Sequence, residues 1–82
     1  MEKYKLIGCK QRKNKEGKPY YLAYVTVEND NSIDLLNVLI KEQQVQPLLD
    51  VIDDNTFDLS RFMSVKYNSF QRAYIPVINY GV

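Results

Sequence analysis

Eighty-two residues, 45% hydrophobic and 26% charged, fit one small soluble domain whose core is marginal unless something staples it or a second copy adds to it. The chain has no histidine and a single cysteine, Cys9, which excludes an internal disulfide, a cysteine-rich metal site and the usual general base. The net charge of +1 hides a sorted distribution: residues 1–27 hold seven cations against two acids, residues 28–60 eight acids against Lys41, and residues 61–82 three cations and no acid.

Two basic segments therefore flank an acidic one. In a compact fold the first and last can share a face, either as solvated surface or as a surface for a polyanion. No apolar run approaches the ~20 residues of a membrane span, and the start of the chain does not lead into a signal-peptide core. The expectation is a soluble, cytoplasmic domain in a reducing compartment, with no membrane partner.

Residues 3–13 read as a strand. Tyr4 and Leu6 alternate with Lys3 and Lys5, and then the phase flips so that Ile7 and Cys9 are the apolar positions. A phase flip beside Gly8 is what a β-bulge produces. Asn14 to Pro19 forms a turn, with Gly17 available for a positive φ. Tyr20 to Glu28 is a second strand, with Tyr21, Ala23, Val25 and Val27 on one face and Tyr20, Leu22, Tyr24 and Thr26 on the other. The aliphatic set suits the core, which turns Tyr20 and Tyr24 outward beside the basic turn.

Asn29 to Ser32 is a turn by composition. Residues 33–45 are apolar on both strand faces and fit a buried strand or a helix; strand is the preferred reading. Pro47 suits the first position of a short helix over residues 47–53. Residues 62–70 alternate as a strand with Met63, Val65 and Tyr67 on one face, Gln71 and Arg72 make a bend, and Tyr74 to Tyr80 is a final strand whose Pro76 suits an edge. Five strands and a short helix before the fourth describe an all-β, five-stranded OB-like Greek-key barrel, one domain over residues 1–82.

Gly17-Lys18-Pro19-Tyr20, then Tyr24-Val25-Thr26-Val27, an apolar strand ending in Lys41-Glu42, and Ser64-Val65-Lys66-Tyr67-Asn68-Ser69-Phe70 occur in that order. Together they resemble the small single-stranded-DNA-binding proteins of filamentous phages, the gene V group. The resemblance implies a homodimeric OB-fold protein that coats single strands cooperatively, without reading sequence. Arg12 and Lys13 stand where that group places a phosphate-contacting arginine, and Tyr20 and Tyr24 match its exposed tyrosines. The stretch between Tyr20 and Tyr24 and the hairpin after Phe70 are shorter here, and the insert around residues 47–53 is longer and more apolar. The chain reads as a relative or analogue from another mobile element.

Binding a single strand requires a cationic groove for phosphates and aromatic faces for bases. Lys10, Arg12, Lys13, Lys15 and Lys18 precede Tyr20 and Tyr24, and Lys66, Phe70, Arg72 and Tyr74 lie near the other end. Tyr21, Tyr67 and Tyr80 are assigned to the core, the usual place of a tyrosine body. Asp50, Asp53 and Asp54 have helical spacing but no fourth ligand, so they read as a solvated acidic face. Cys9 and the serines lack a base. The expected function is sequence-independent binding of single-stranded DNA, without cofactor, metal or catalysis. RNA binding of the cold-shock kind, or a protein-interaction module using the acidic middle segment, are the alternatives.

Overall fold

The computed structural model of the chain describes residues 3–81; Met1, Glu2 and Val82, including one acid of the basic first segment, lie outside them. Strands β1 (Lys3–Lys13), β2 (Pro19–Glu28) and β3 (Ile33–Ile40) form an antiparallel meander in the order β1-β2-β3. Alternation along β2 decides its faces: Ala23, Val25 and Val27 are buried, while Tyr20, Leu22, Tyr24 and Thr26 fall on the other side. Leu6 stands opposite Val25 and Tyr4 opposite Val27 on the buried side, joined from β3 by Leu36 opposite Val25 and Val38 opposite Ala23.

The bulge beside Gly8 is present. Leu6 pairs with Val25 and Gly8 with Tyr24, so Ile7 is the extra residue, and beyond it Cys9 faces Ala23. The turn that follows is organised by Asn14, whose Oδ1 accepts from the N–H groups of Glu16 and Lys18, both at 2.9 Å. Gly17 has the expected positive φ, 80°.

Helix α1 spans Glu42–Asp50, so it starts well before the expected 47–53 and holds Pro47 in its interior. Gln44 is the reason for the early start. Its Oε1 accepts from the Lys41 N–H at 2.9 Å, which satisfies a donor at the helix entrance. Its Nε2 donates to the carbonyls of Ile78 at 2.6 Å and Tyr80 at 3.1 Å, and the side chain is buried. Pro47 has no N–H, so the helix forgoes the one main-chain hydrogen bond that this residue would give to the Gln43 carbonyl. Pro47 also packs on the chain end: a Cβ on Gly81 would lie 2.7 Å from the Pro47 Cβ, and Gly81 has φ 74°.

A 3-10 turn at Leu59–Phe62 leads into strands β4 (Met63–Asn68) and β5 (Ala73–Ile78), a hairpin that forms the second sheet. Phe57, Phe62 and Tyr80 make a triangle at its base, with ring centroids 5.5, 5.1 and 4.7 Å apart. The core comprises Leu6, Ala23, Val25, Val38 and Ile40 from the first sheet with Leu48, Leu59 and Ile78 from the other elements. β5 lies beside β3, and the Leu59–Phe62 turn beside β1, where the Tyr4 N–H donates to Ser60 Oγ at 3.3 Å. The five strands expected are thus present in an all-β chain, but among the described residues no ladder joins the two sheets and no barrel is closed.

Two burial expectations fail. Ile33, Leu35 and Leu39 are 70%, 59% and 57% exposed, because the core with Leu48, Leu59 and Ile78 lies on the other face of β3 only. Tyr67 is 57% exposed, not core: the β4–β5 hairpin is anchored by Met63 and Ile78 at its open end and projects outward from there. The accessible surface is 6360 Å², against about 5,100 Å² for a compact chain of this mass.

Gln44→Ala would strand the Lys41 N–H and two carbonyls. The expected loss is about 2 kcal/mol, a melting midpoint lower by about 10 °C. Gln44→Glu, which keeps the acceptor but turns a carboxylate on those carbonyls, should lose at least as much by thermal denaturation. Midpoints equal to that of the unmodified chain would show that this amide ties nothing together.

Candidate nucleic-acid interface

The face of the first sheet turned away from the core presents three parallel rows. On β2 it carries Tyr20, Leu22, Tyr24 and Thr26; the register sets Arg12 opposite Tyr20, Lys10 opposite Leu22 and Gly8 opposite Tyr24. On the other side Leu39, Asn37 and Leu35 stand opposite Leu22, Tyr24 and Thr26. Cations therefore line the β1 edge, aromatic rings the middle and aliphatic side chains the β3 edge.

Tyr20 and Tyr24 are half-buried on this face, and the Arg12 Nη2 donates to the Tyr24 hydroxyl at 3.3 Å. That hydrogen bond, with the nearby Tyr24 and Tyr20 phenols, holds the guanidinium pKa above its ordinary value, so Arg12 is a permanent cation laid over the sheet. Lys15 and Lys18 are exposed in the tight turn at one end of the face. Lys13 pairs with Pro19 and falls by alternation on the opposite face from Arg12. It is not part of the same row.

The second group expected from the sequence sits on the second sheet and its bend. Lys66, Phe70 and Arg72 are exposed on the β4–β5 hairpin, with Phe70 at 96% exposure and Arg72 at φ 52° in the bend. Tyr67 and Tyr74 meet edge to face across the same hairpin, centroids 5.2 Å apart. Among the described residues no hydrogen bond or ring contact joins this group to Arg12, Tyr20 or Tyr24. The structure therefore offers two aromatic, basic surfaces: the sheet face and the projecting hairpin.

No known protein family, curated protein or solved structure matches this chain. What the surfaces do must be read from their own chemistry.

Tyr67 lies outside the set that the sequence singles out for contact. In the sequence it alternates with Met63 and Val65, and Met63 packs on the core, so no local signal sets it apart. The exposed Leu35 and Leu39 give none either, because apolar residues on both faces of a strand read as double burial.

A groove of about 550 Å³ between the first half of β1 and residues 51–60 holds neither Tyr20 nor Tyr24. Its rim mixes Lys3 and Lys5 with Glu28, Asp54 and Asp58. Asp54 is occupied locally: its Oδ1 accepts from the Thr56 hydroxyl at 2.6 Å and the Thr56 N–H at 2.9 Å, which lowers its pKa. Among the described residues no group of three or more acids, cysteines or histidines could hold a metal, and no helix is long and apolar enough to cross a membrane.

Cys9 packs against the core, and burial pushes its thiol pKa up. A raised pKa means less thiolate at pH 8 than a free cysteine has, so alkylation of the native chain should be several-fold slower than of the urea-unfolded chain. Equal rates in the two states would show that the bulge leaves Cys9 open.

Proposed function

We propose that this chain binds single-stranded nucleic acid, DNA in the first place, largely without reading sequence. The observation that carries this reading is the pairing of unlike rows on one sheet face: cations of β1 beside the tyrosines of β2, with Arg12 hydrogen-bonded to Tyr24. Phosphates follow cations, and every base has a face to lay on a ring. Lys10, Arg12, Lys15 and Lys18 are assigned to phosphates; Lys13, on the opposite face of β1, is left out of that set. Tyr20 and Tyr24 are assigned to bases, and Lys66, Phe70 and Arg72 to a second contact on the hairpin. No catalytic role is proposed.

The OB-like reading belongs to the same proposal. The order β1-β2-β3, helix, β4-β5 is kept, β5 neighbours β3 and the entry to β4 neighbours β1. That is the neighbour order in which a five-stranded Greek-key barrel closes, and it supports kinship in plan with the gene V group. A homodimer fits the excess of exposed surface. The uncovered Ile33, Leu35 and Leu39 support the second reading, a protein-interaction module.

The tests separate neighbours on one strand. Tyr20→Ala should weaken single-strand binding roughly ten-fold or more, while Tyr20→Phe, which keeps the ring face, should bind nearly normally. Tyr21→Ala should lower thermal stability and leave binding intact in what remains folded, because Tyr21 packs on the core. A mobility shift that favours duplex over single strands, or binding unchanged in Tyr20→Ala and Tyr24→Ala, would overturn the reading. Affinity should also fall with salt, with a log–log slope near −2 to −3 for about 3–4 phosphate contacts.

A further inference from the structure

Lys3 and Lys5 are odd-numbered residues of β1, while Lys10 and Arg12 are even-numbered. A regular strand would send the two pairs to opposite faces. The bulge between Leu6 and Gly8 cancels the difference. Lys3 stands opposite Glu28, Lys5 opposite Thr26, Lys10 opposite Leu22 and Arg12 opposite Tyr20, and these four partners share the outer face of β2. All four cations are exposed. Among the described residues none of them has an ion pair with a carboxylate. Keeping cations out of the core explains why the strand must change phase. It does not explain why the row so formed is left without acid partners along its length, apart from Glu28 opposite its first member.

We infer that a single strand lies lengthwise on β1, its phosphates over the row Lys3, Lys5, Lys10 and Arg12 and its bases turned across the tyrosines of β2 toward Leu35 and Leu39 of β3. This rests on the reading of the chain as a single-strand binder and adds Lys3 and Lys5, a direction and a length to it. Successive members within each pair are ~6.6 Å apart along the strand, and the whole row spans ~30 Å. At 3.4 Å per stacked nucleotide the row takes up to about nine nucleotides, fewer if the strand is stretched. Gly8 leaves the gap between the two pairs: it stands opposite Tyr24, and a Cβ there would meet nothing within 4 Å, so a base can reach that ring from the phosphate side. Two strand spacings, ~10 Å, separate the cations from the leucines, comparable with the reach from a phosphate to the far edge of its base.

The experiment compares the full chain with Lys3→Gln/Lys5→Gln, using a pentamer and a dodecamer of thymidylate across a salt series. The pentamer can sit on Arg12, Tyr20 and Tyr24 alone, so its affinity and salt slope should be the same in both proteins. The dodecamer should bind the variant on the order of ten-fold more weakly at low salt, with the slope reduced by about 1.4. An equal melting midpoint shows that the variant folds. A dodecamer slope unchanged by the substitutions overturns the lengthwise path while leaving single-strand binding in place. Failure of the unmodified chain to bind either oligomer overturns both.

Discussion

The side chain of Gln44 holds the two halves of the fold in register. It is the one polar side chain among the described residues that is buried, and each of its hydrogen bonds is to main chain: one to the helix entrance, two to the strand end some 34–36 residues later. An amide can accept and donate at once, which no aliphatic, hydroxyl or carboxylate side chain of similar size does with the same geometry. From that placement follow the start of α1, the docking of Ile78 against Leu48 in the core, and the closing of Pro47 on Gly81. The aromatic triangle of Phe57, Phe62 and Tyr80 then covers the same junction with apolar surface.

With the core fixed on one side, the first sheet is free to use its other side. Its three rows differ in kind because each strand solves a different packing problem. β1 must put its many cations in water, β2 sets Ala23, Val25 and Val27 inward and Tyr20 and Tyr24 outward, and β3 carries apolar residues on both faces although only one of them is covered. The contact between Arg12 and Tyr24 joins the first two rows.

Much of this was legible in the residues. Period-two patterning gave β2 and its two faces, the phase change near Gly8 gave the bulge, and Gly17 gave the turn with its positive φ. What failed did so for lack of tertiary information. Pro47 is a good signal for a helix start, but Gln44 starts the helix earlier through partners far along the chain that no local window contains. Ile33, Leu35 and Leu39 read as buried since hydropathy reports preference, not the presence of a covering layer. Tyr67 was placed in the core on the habit of its residue type, while its exposure depends on how far the hairpin reaches beyond Met63 and Ile78. The basic residues near the chain's other end belong to the last two strands, which form a sheet of their own, and no hydrogen bond or ring contact among the described residues joins them to Arg12, Tyr20 or Tyr24.

The separation of the two ladders has a consequence for motion. Since no strand hydrogen bond crosses between the sheets among the described residues, β4 and β5 can lift away as a unit without unzipping the meander. The free energy of such an opening is set by the Gln44 hydrogen bonds, Ile78 and the aromatic triangle, and it lies below that of global unfolding. Amide protons at the far end of the hairpin then exchange through this partial opening, while those between β2 and its neighbours wait for the whole domain. A ligand touching both surfaces would close that gap, making the hairpin as slow to exchange as the sheet.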